Sequence, residues 1–307
     1  MSLAEATAAE VVVESGGPGG PQSVGRAKDT FRRLRRNPAA IGGAALILVF
    51  VLVAVLAPVL APQDPYRTNR SLVSPGNYPG PSSEHLLGVD DLGRDELSRI
   101  IYGARYSLVI GVVSLLLGLA AGAILGGLAG AFGGWVDNAL MRLTDIMLAV
   151  PGLLFAIAVA AVLGRSLTSV MIAIAVVNVP VFARLLRGSM LANRESDYVL
   201  AARAVGVKRW RITLQHVVPN SLSPVLVQGT LALATAIIDA AGLAYLGLGS
   251  ADPSIPEWGR MLASTQRYLA TAPQLAIYPG LAIVLSVLGF NLLGEALREA
   301  LDPKLRR

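Results

Sequence analysis

Cysteine is absent from the 307-residue chain, which excludes a disulfide framework, a thiolate metal site and a cysteine nucleophile. The two histidines, His85 and His216, stand far apart with no ligand spacing around either, so the sequence offers no metal site. Lysine is as scarce: Lys28, Lys208 and Lys304 follow Ala27, Val207 and Pro303, and no Gly-Lys-Ser/Thr phosphate loop can be written. Charged residues make up only 15%, against about a quarter in ordinary globular chains. A net charge of +6 suggests a polyanion partner, yet aromatics are 6% and the basic residues are dispersed beside apolar runs, so no nucleic-acid partner is expected. What is abundant is apolar: 54% hydrophobic residues and a mean hydropathy of +0.60 mark a membrane protein.

Residues 1–25, rich in Ala, Glu, Gly and Pro without periodicity, read as a disordered tail. Six basic residues between Arg26 and Arg36 then precede an uncharged run from Ala39 to Ala61. At 1.5 Å per residue this run reaches about 35 Å, enough for a tilted crossing of a roughly 30 Å hydrocarbon core. Its apolar centre is too long for a secretory signal and predicts an anchor that stays. Five further spans are predicted at 107–131, 144–163, 168–187, 223–248 and 275–295, making an all-α membrane protein of six helices. Three regions follow: the tail; residues 26–105 with the first span and a polar outer loop; and a five-helix core, 106–307, interrupted by a basic loop at 188–222. Arg67, Arg70, Arg94, Arg99, Arg105, Arg165, Arg260 and Arg267 fall on one side and all other basic residues on the opposite one. The positive-inside rule then predicts cytoplasmic N- and C-termini.

Within the core, Gly118, Gly122, Gly126, Gly130 and Gly134 recur every fourth residue, a stripe that permits close helix approach inside the chain or across a subunit interface. Prolines 151, 180, 224 and 279 lie in or near the other four core spans, where a neighbouring helix or a water-lined cavity must satisfy the freed carbonyls. Asp239 is a carboxylate well inside an apolar span. Burying it costs roughly 2.5–3.5 kcal/mol on insertion scales, so it is expected to face protein, water or a basic partner. Asn178, Gln228 and Asn291 are further polar residues at membrane depth, read either as inter-helix hydrogen-bonding groups or as lining a path.

Two polar segments carry more information. In the basic loop, Val199, Ala202 and Val205 fall together at helical spacing before Gly206, and Trp210 with Leu214 after it, predicting two short helices broken at the glycine. Small alanines at 201, 202 and 204 permit tight docking of a partner, and Lys208, Arg209 and Arg211 supply charge. In the outer loop, Leu97, Ile100, Ile101 and Ala104 share one face, predicting an amphipathic helix on the outer leaflet. Asp90, Asp91 and Asp95 stand at its start, where the helix dipole favours negative charge. Their role is structural, or a contact with a docking protein.

The stretch from Asp197 to Asn220 resembles the EAA loop of ABC importer permeases. Ala201, Ala202, Gly206 and Pro219 occupy that pattern's Ala, Ala, Gly and Pro positions, whereas Leu200, His216 and Val218 depart from its Glu, Ile and Leu. The outer stretch His85–Leu108, the run Tyr245-Leu-Gly-Leu-Gly249 followed by Trp258-Gly259, and the ending Phe290–Arg306 are similar to DppC/OppC-type permease subunits. This resemblance implies a type I importer permease core without catalytic residues or a cofactor of its own. It implies a second permease subunit, two ATPases holding ATP and Mg²⁺, and an extracytoplasmic solute-binding protein that delivers peptides. With it, Asp197, Ala201, Ala202, Gly206, Lys208, Arg209, Trp210 and Pro219 are expected to form the coupling surface; Asp239, Asn178, Gln228 and Asn291 are candidates for the path on their polarity at membrane depth, and Asp90, Arg94, Asp95 and Trp258 are candidates for outer docking. An ion-coupled carrier or channel is the alternative, and would need paired half-helices or further intramembrane acids. An intramembrane enzyme would need a nucleophile and base in register.

Overall fold

The computed structural model describes residues 32, 34–74 and 78–301, so the tail 1–25, Lys304 and the last arginines lie outside the described residues. The ordered elements are helices: α1 Pro38–Val55, α2 Ala57–Leu60, α3 Glu96–Phe132, α4 Gly134–Leu148, α5 Gly152–Leu163, α6 Leu167–Arg194, α7 Asp197–Ala204, α8 Arg209–Ile212, α9 Val218–Tyr245, α10 Trp258–Thr265 and α11 Gln274–Leu301. Among the described residues five helices are long and apolar enough to cross a membrane, the fourth being α8 and α9 run together; the pair α4–α5 is a sixth crossing if counted as one.

That pair corrects the expected straight span at 144–163. Residues 144–148 belong to α4, and α5 leaves at 91° after the break at residues 149–151. Pro151 is the cause, because its ring disfavours helical backbone at Val150 and removes a donor. α5 alone reaches only about 18 Å, short of the hydrocarbon thickness. α4 is instead pinned along α6 by two ion pairs, Asp145 with Arg184 and Asp137 with Arg187, the latter bidentate at 3.0 and 2.7 Å.

The bundle centres on α3 packed along α6, with α9 against both; α11 flanks α9 and carries α1, and α5 covers α6. The glycine stripe makes the central contact and is used inside the chain. A Cβ at Gly118, Gly122 or Gly126 would come within 2.8 Å of Ala175 O, 2.6 Å of Phe182 Cβ or 2.3 Å of Ala183 O on α6. Gly134 departs from this expectation: it has open space around it and a φ of +56°, and serves the sharp turn into α4 with Gly133. A second small-residue seam, Gly43 against Gly289, joins α1 to α11.

Hydrogen bonds sort the helix ends. Asn37 caps α1 through Ala39 N and Ala40 N and donates to Glu299 Oε2 at 3.1 Å, so both ends of the described chain lie together. Ala131 O accepts from Arg194 and Arg209, joining the ends of α3 and α6 to the start of α8. At the opposite end Gln63 N donates to Ser98 Oγ at 3.1 Å and Arg94 to Pro253 O at 2.8 Å. The bundle thus has a basic end, holding residues 131–134 and 194–212, and a looped end, holding residues 61–74, 78–95 and 246–273.

Candidate functional site

At the basic end, α6 stops at Arg194 and α7 begins after Ser196, whose Oγ turns back to Asn193 O at 2.6 Å. Asp197 opens α7, where the helix dipole favours its charge. The helix ends in a Schellman turn. Gly206 N donates to Arg203 O at 3.0 Å and Val207 N to Ala202 O at 3.1 Å, with Gly206 at φ +79°. An L-residue resists that backbone, which is why glycine stands there. Val199 and Val207 turn inward with Ala202 and pack on the main apolar cluster, anchoring the short helix.

The outward face is apolar and basic. Val205 is 79% exposed, Trp210 55% and Leu214 60%, beside exposed Leu200, Ala201, Lys208 and Arg209. The shared face expected of Val199, Ala202 and Val205 breaks at its end: Val205, as the C-cap residue, leaves the helix axis and projects outward. Arg211 lies over the Trp210 ring at 5.3 Å, holding the indole on the surface. The expected second short helix is also corrected. α8 continues through a π-helical turn, Thr213–Val217, into α9, so residues 209–245 form one continuous rod. Pro219 explains the widened turn: its ring would strike the carbonyl four residues back, at Gln215, and it offers no N–H.

The looped end holds a knot of buried charge. Asp90, Arg94, Asp95 and Trp258 are 6%, 5%, 3% and 1% exposed, so they are not a docking surface. Arg94 Nε bonds Asp90 Oδ2 at 2.6 Å, Arg99 Nε lies 3.3 Å from the same oxygen, and His85 Nδ1 lies 2.9 Å from Asp95 Oδ1. Trp258 Nε1 donates to Ile100 O at 3.0 Å and its ring fills the space beside Gly103. Burial also corrects the expected separate amphipathic helix: residues 96–105 continue into α3 under this loop. Asp91 Oδ1 and Glu96 Oε1 are buried without a hydrogen-bond partner among the described residues, Asp91 Oδ1 lying 3.9 Å from the Arg94 guanidinium, and burial raises the Asp91 carboxyl above its ordinary range. Sequence reasoning missed Glu96, Arg99 and Glu257, for which charge density around a helix start was the available signal.

The membrane-depth residues do not converge. Asn178 donates to Ile174 O of its own helix at 2.9 Å, so it does not bridge helices; Asn291 is exposed on the surface of this chain, and Gln228 is half-buried. Asp239 is half-buried on α9 beside buried Ile237 and has no ion-pair partner among the described residues. No cluster of three or more His, Cys, Asp or Glu able to hold a metal occurs among the described residues.

A multi-pass helical bundle with a short helix displayed at one end, and its polar chemistry spent on packing, has the architecture of a transport permease. The chain belongs to the family of binding-protein-dependent transport system inner membrane components, whose profile matches residues 106–307. Residues 25–79 match the N-terminal TM domain of oligopeptide transport permease C. Relatives include the dipeptide transport system permease protein DppC of Alkalihalophilus pseudofirmus, 46% identical over 91% of this chain and 90% of that one. The glutathione transport system permease protein GsiD of Pectobacterium atrosepticum is 42% identical over 91% of each. The di/tripeptide transport system permease protein DppC of Pseudomonas aeruginosa is 45% identical over 91% of this chain and 92% of that one. The fold is that of type I importer permeases: a structure of the MetNI methionine ABC transporter in inward-facing form superposes with a TM-score of 0.56 at 17% identity, over 67% of this chain and 98% of that one.

Proposed function

We propose that this chain is the permease subunit of an ATP-driven peptide importer in a bacterial plasma membrane, with its basic end cytoplasmic. A second permease subunit completes the path, two ATPases holding ATP and Mg²⁺ serve the pair with one of them docked on α7, and an extracytoplasmic binding protein delivers the solute. The permease itself carries no cofactor. The observation that supports this best is the Schellman-capped α7 together with the turn into α8, which present Ala201, Val205, Lys208, Arg209 and Trp210 outward from an anchored inner face. A passive gate needs such a rigid handle more than it needs a reactive group. Relatives named for dipeptides, di/tripeptides and glutathione support small peptides as the cargo class.

An affinity-tagged chain extracted in mild detergent is expected to bring down two ATPases. Ala201→Trp is expected to lose them, and to abolish uptake of labelled dipeptide, while the chain still inserts in the membrane. Uptake into vesicles holding this chain alone, without ATP, would overturn the proposal and favour an ion-coupled carrier, for which the partnerless Asp239 is the supporting residue.

A further inference from the structure

Three arginines at the basic end converge on one space. Arg194 ends α6, Arg203 lies in the last turn of α7 and Arg209 opens α8; with Val207, Thr213 and Val217 they line a cavity of about 390 Å³. That volume falls in the range of small-ligand pockets, about 300–1,000 Å³. No carboxylate lines the cavity, and none of the three arginines forms an ion pair among the described residues. Asp137, the acid that faces Arg194, is held bidentately by Arg187. The negative charge on offer is the end of α3, where Ala131 O accepts from Arg194 and, at 3.4 Å, from Arg209. A helix C-terminus supplies about half a negative charge, against three positive ones. The cavity is therefore built for an anion, and the guanidinium fork matches phosphate oxygens best.

We propose that this cavity binds the phosphate of an anionic phospholipid headgroup. Its position favours a lipid over free phosphate, because it lies at the basic face where α3 and α6 end and the α8–α9 rod begins. Phe132, the residue after the shared carbonyl, is strongly exposed, as are Trp135 and, at four-residue spacing back along α3, Leu128 and Ile124. This apolar stripe lies on the side of α3 turned away from its glycine contact with α6 and begins beside the shared carbonyl, so an acyl chain lies along it when the headgroup is held at the end of α3, with Trp135 beside it. A bound headgroup ties α6, the Gly206 turn and the π-helical turn together, so that anionic lipid stiffens the handle on which the docking partner pulls.

The test uses the full chain purified in neutral detergent, with lipid binding read by native mass spectrometry and thermal melting. Phosphatidylglycerol is expected to stay bound and raise the melting temperature, and phosphatidylcholine to do neither. A basic residue near an anionic surface contributes about 1 kcal/mol, roughly fivefold in affinity. Arg194→Gln with Arg203→Gln is therefore expected to weaken phosphatidylglycerol binding at least about tenfold. Arg203→Lys, which keeps the charge and the fold, should retain most of the binding, and Arg267→Gln at the looped end all of it. Equal binding of the two lipids, or full binding by the double variant, would overturn the proposal. The same melting shift from inorganic phosphate at equal concentration would overturn the lipid assignment. So would loss of the lipid from a complex extracted with its docking partners, which would give the cavity to an acidic side chain. None of these readouts needs transport or a known solute, so their failure is separable from failure of the proposed function.

Discussion

At the scale of single residues, glycine spacing was the most legible feature. A four-residue repeat announces a packing stripe, and Gly118, Gly122 and Gly126 meet the backbone or first side-chain carbon of α6. Their neighbour Gly127 does not: a Cβ there would find only Leu186 Cδ2 at an ordinary 3.9 Å. Gly126→Val is expected to destabilise the detergent-purified chain by about 1–3 kcal/mol, the usual cost of overpacking, while Gly127→Ala stays near neutral in the same melting assay. Gly206→Ala should cost about 1 kcal/mol from its left-handed backbone alone, since the space around it is open.

Buried acids were illegible in the sequence because burial depends on what folds over them. Glu257 caps α10 by accepting from Gly259 N at 2.9 Å and Arg260 N at 3.1 Å, and burial pushes its carboxyl from an ordinary 4.5 up to about 7. A folded-state value above the unfolded one means that the folded chain holds the proton more tightly. Stability is then fully present below pH 4.5, falls as pH rises toward about 7, and is flat above. Melting curves across that window are expected to show this decline in the native chain and a weaker one in Glu257→Gln.

At the scale of elements, apolar runs located the long helices, but they could not show where a run bends or where two elements fuse. Composition marked 144–163 as one span, and Pro151 divides it; composition marked residues after Gly206 as a separate helix, and Pro219 is accommodated by a π-helical turn that keeps the rod intact. α4 owes its place to Asp137 and Asp145, whose partners Arg187 and Arg184 lie far along the chain. Asp137→Asn with Arg187→Gln, run as a double-mutant cycle on melting free energy, should give a coupling of about 1 kcal/mol, discounted for a partly exposed arginine. Pro219→Ala is expected to relax the turn toward regular helix and rotate Trp210, read as a change in its fluorescence and quenching.

At the scale of the whole molecule, the division into a basic and a looped end was readable from arginine placement, whereas the fate of the outer aspartates was not. Charge at a helix start looks the same whether it meets a partner or is buried under a loop, and here Arg94 and Trp258 are buried. The cysteine-free background makes the orientation directly measurable. A single Leu86→Cys is expected to react with a membrane-impermeant maleimide in intact cells, and Val205→Cys only in inside-out vesicles; the reverse pattern would turn the molecule over.

The backbone contact between α3 and α6 also constrains how such a molecule opens. With carbonyls of one rod seated against bare α-carbons of the other, there is no slack for sliding, and the two must swing as a single plank. Whatever doorway cargo uses has to part along looser seams: the elbow after residue 148, the proline-bearing rods α9 and α11, or the flank that a second subunit would cover.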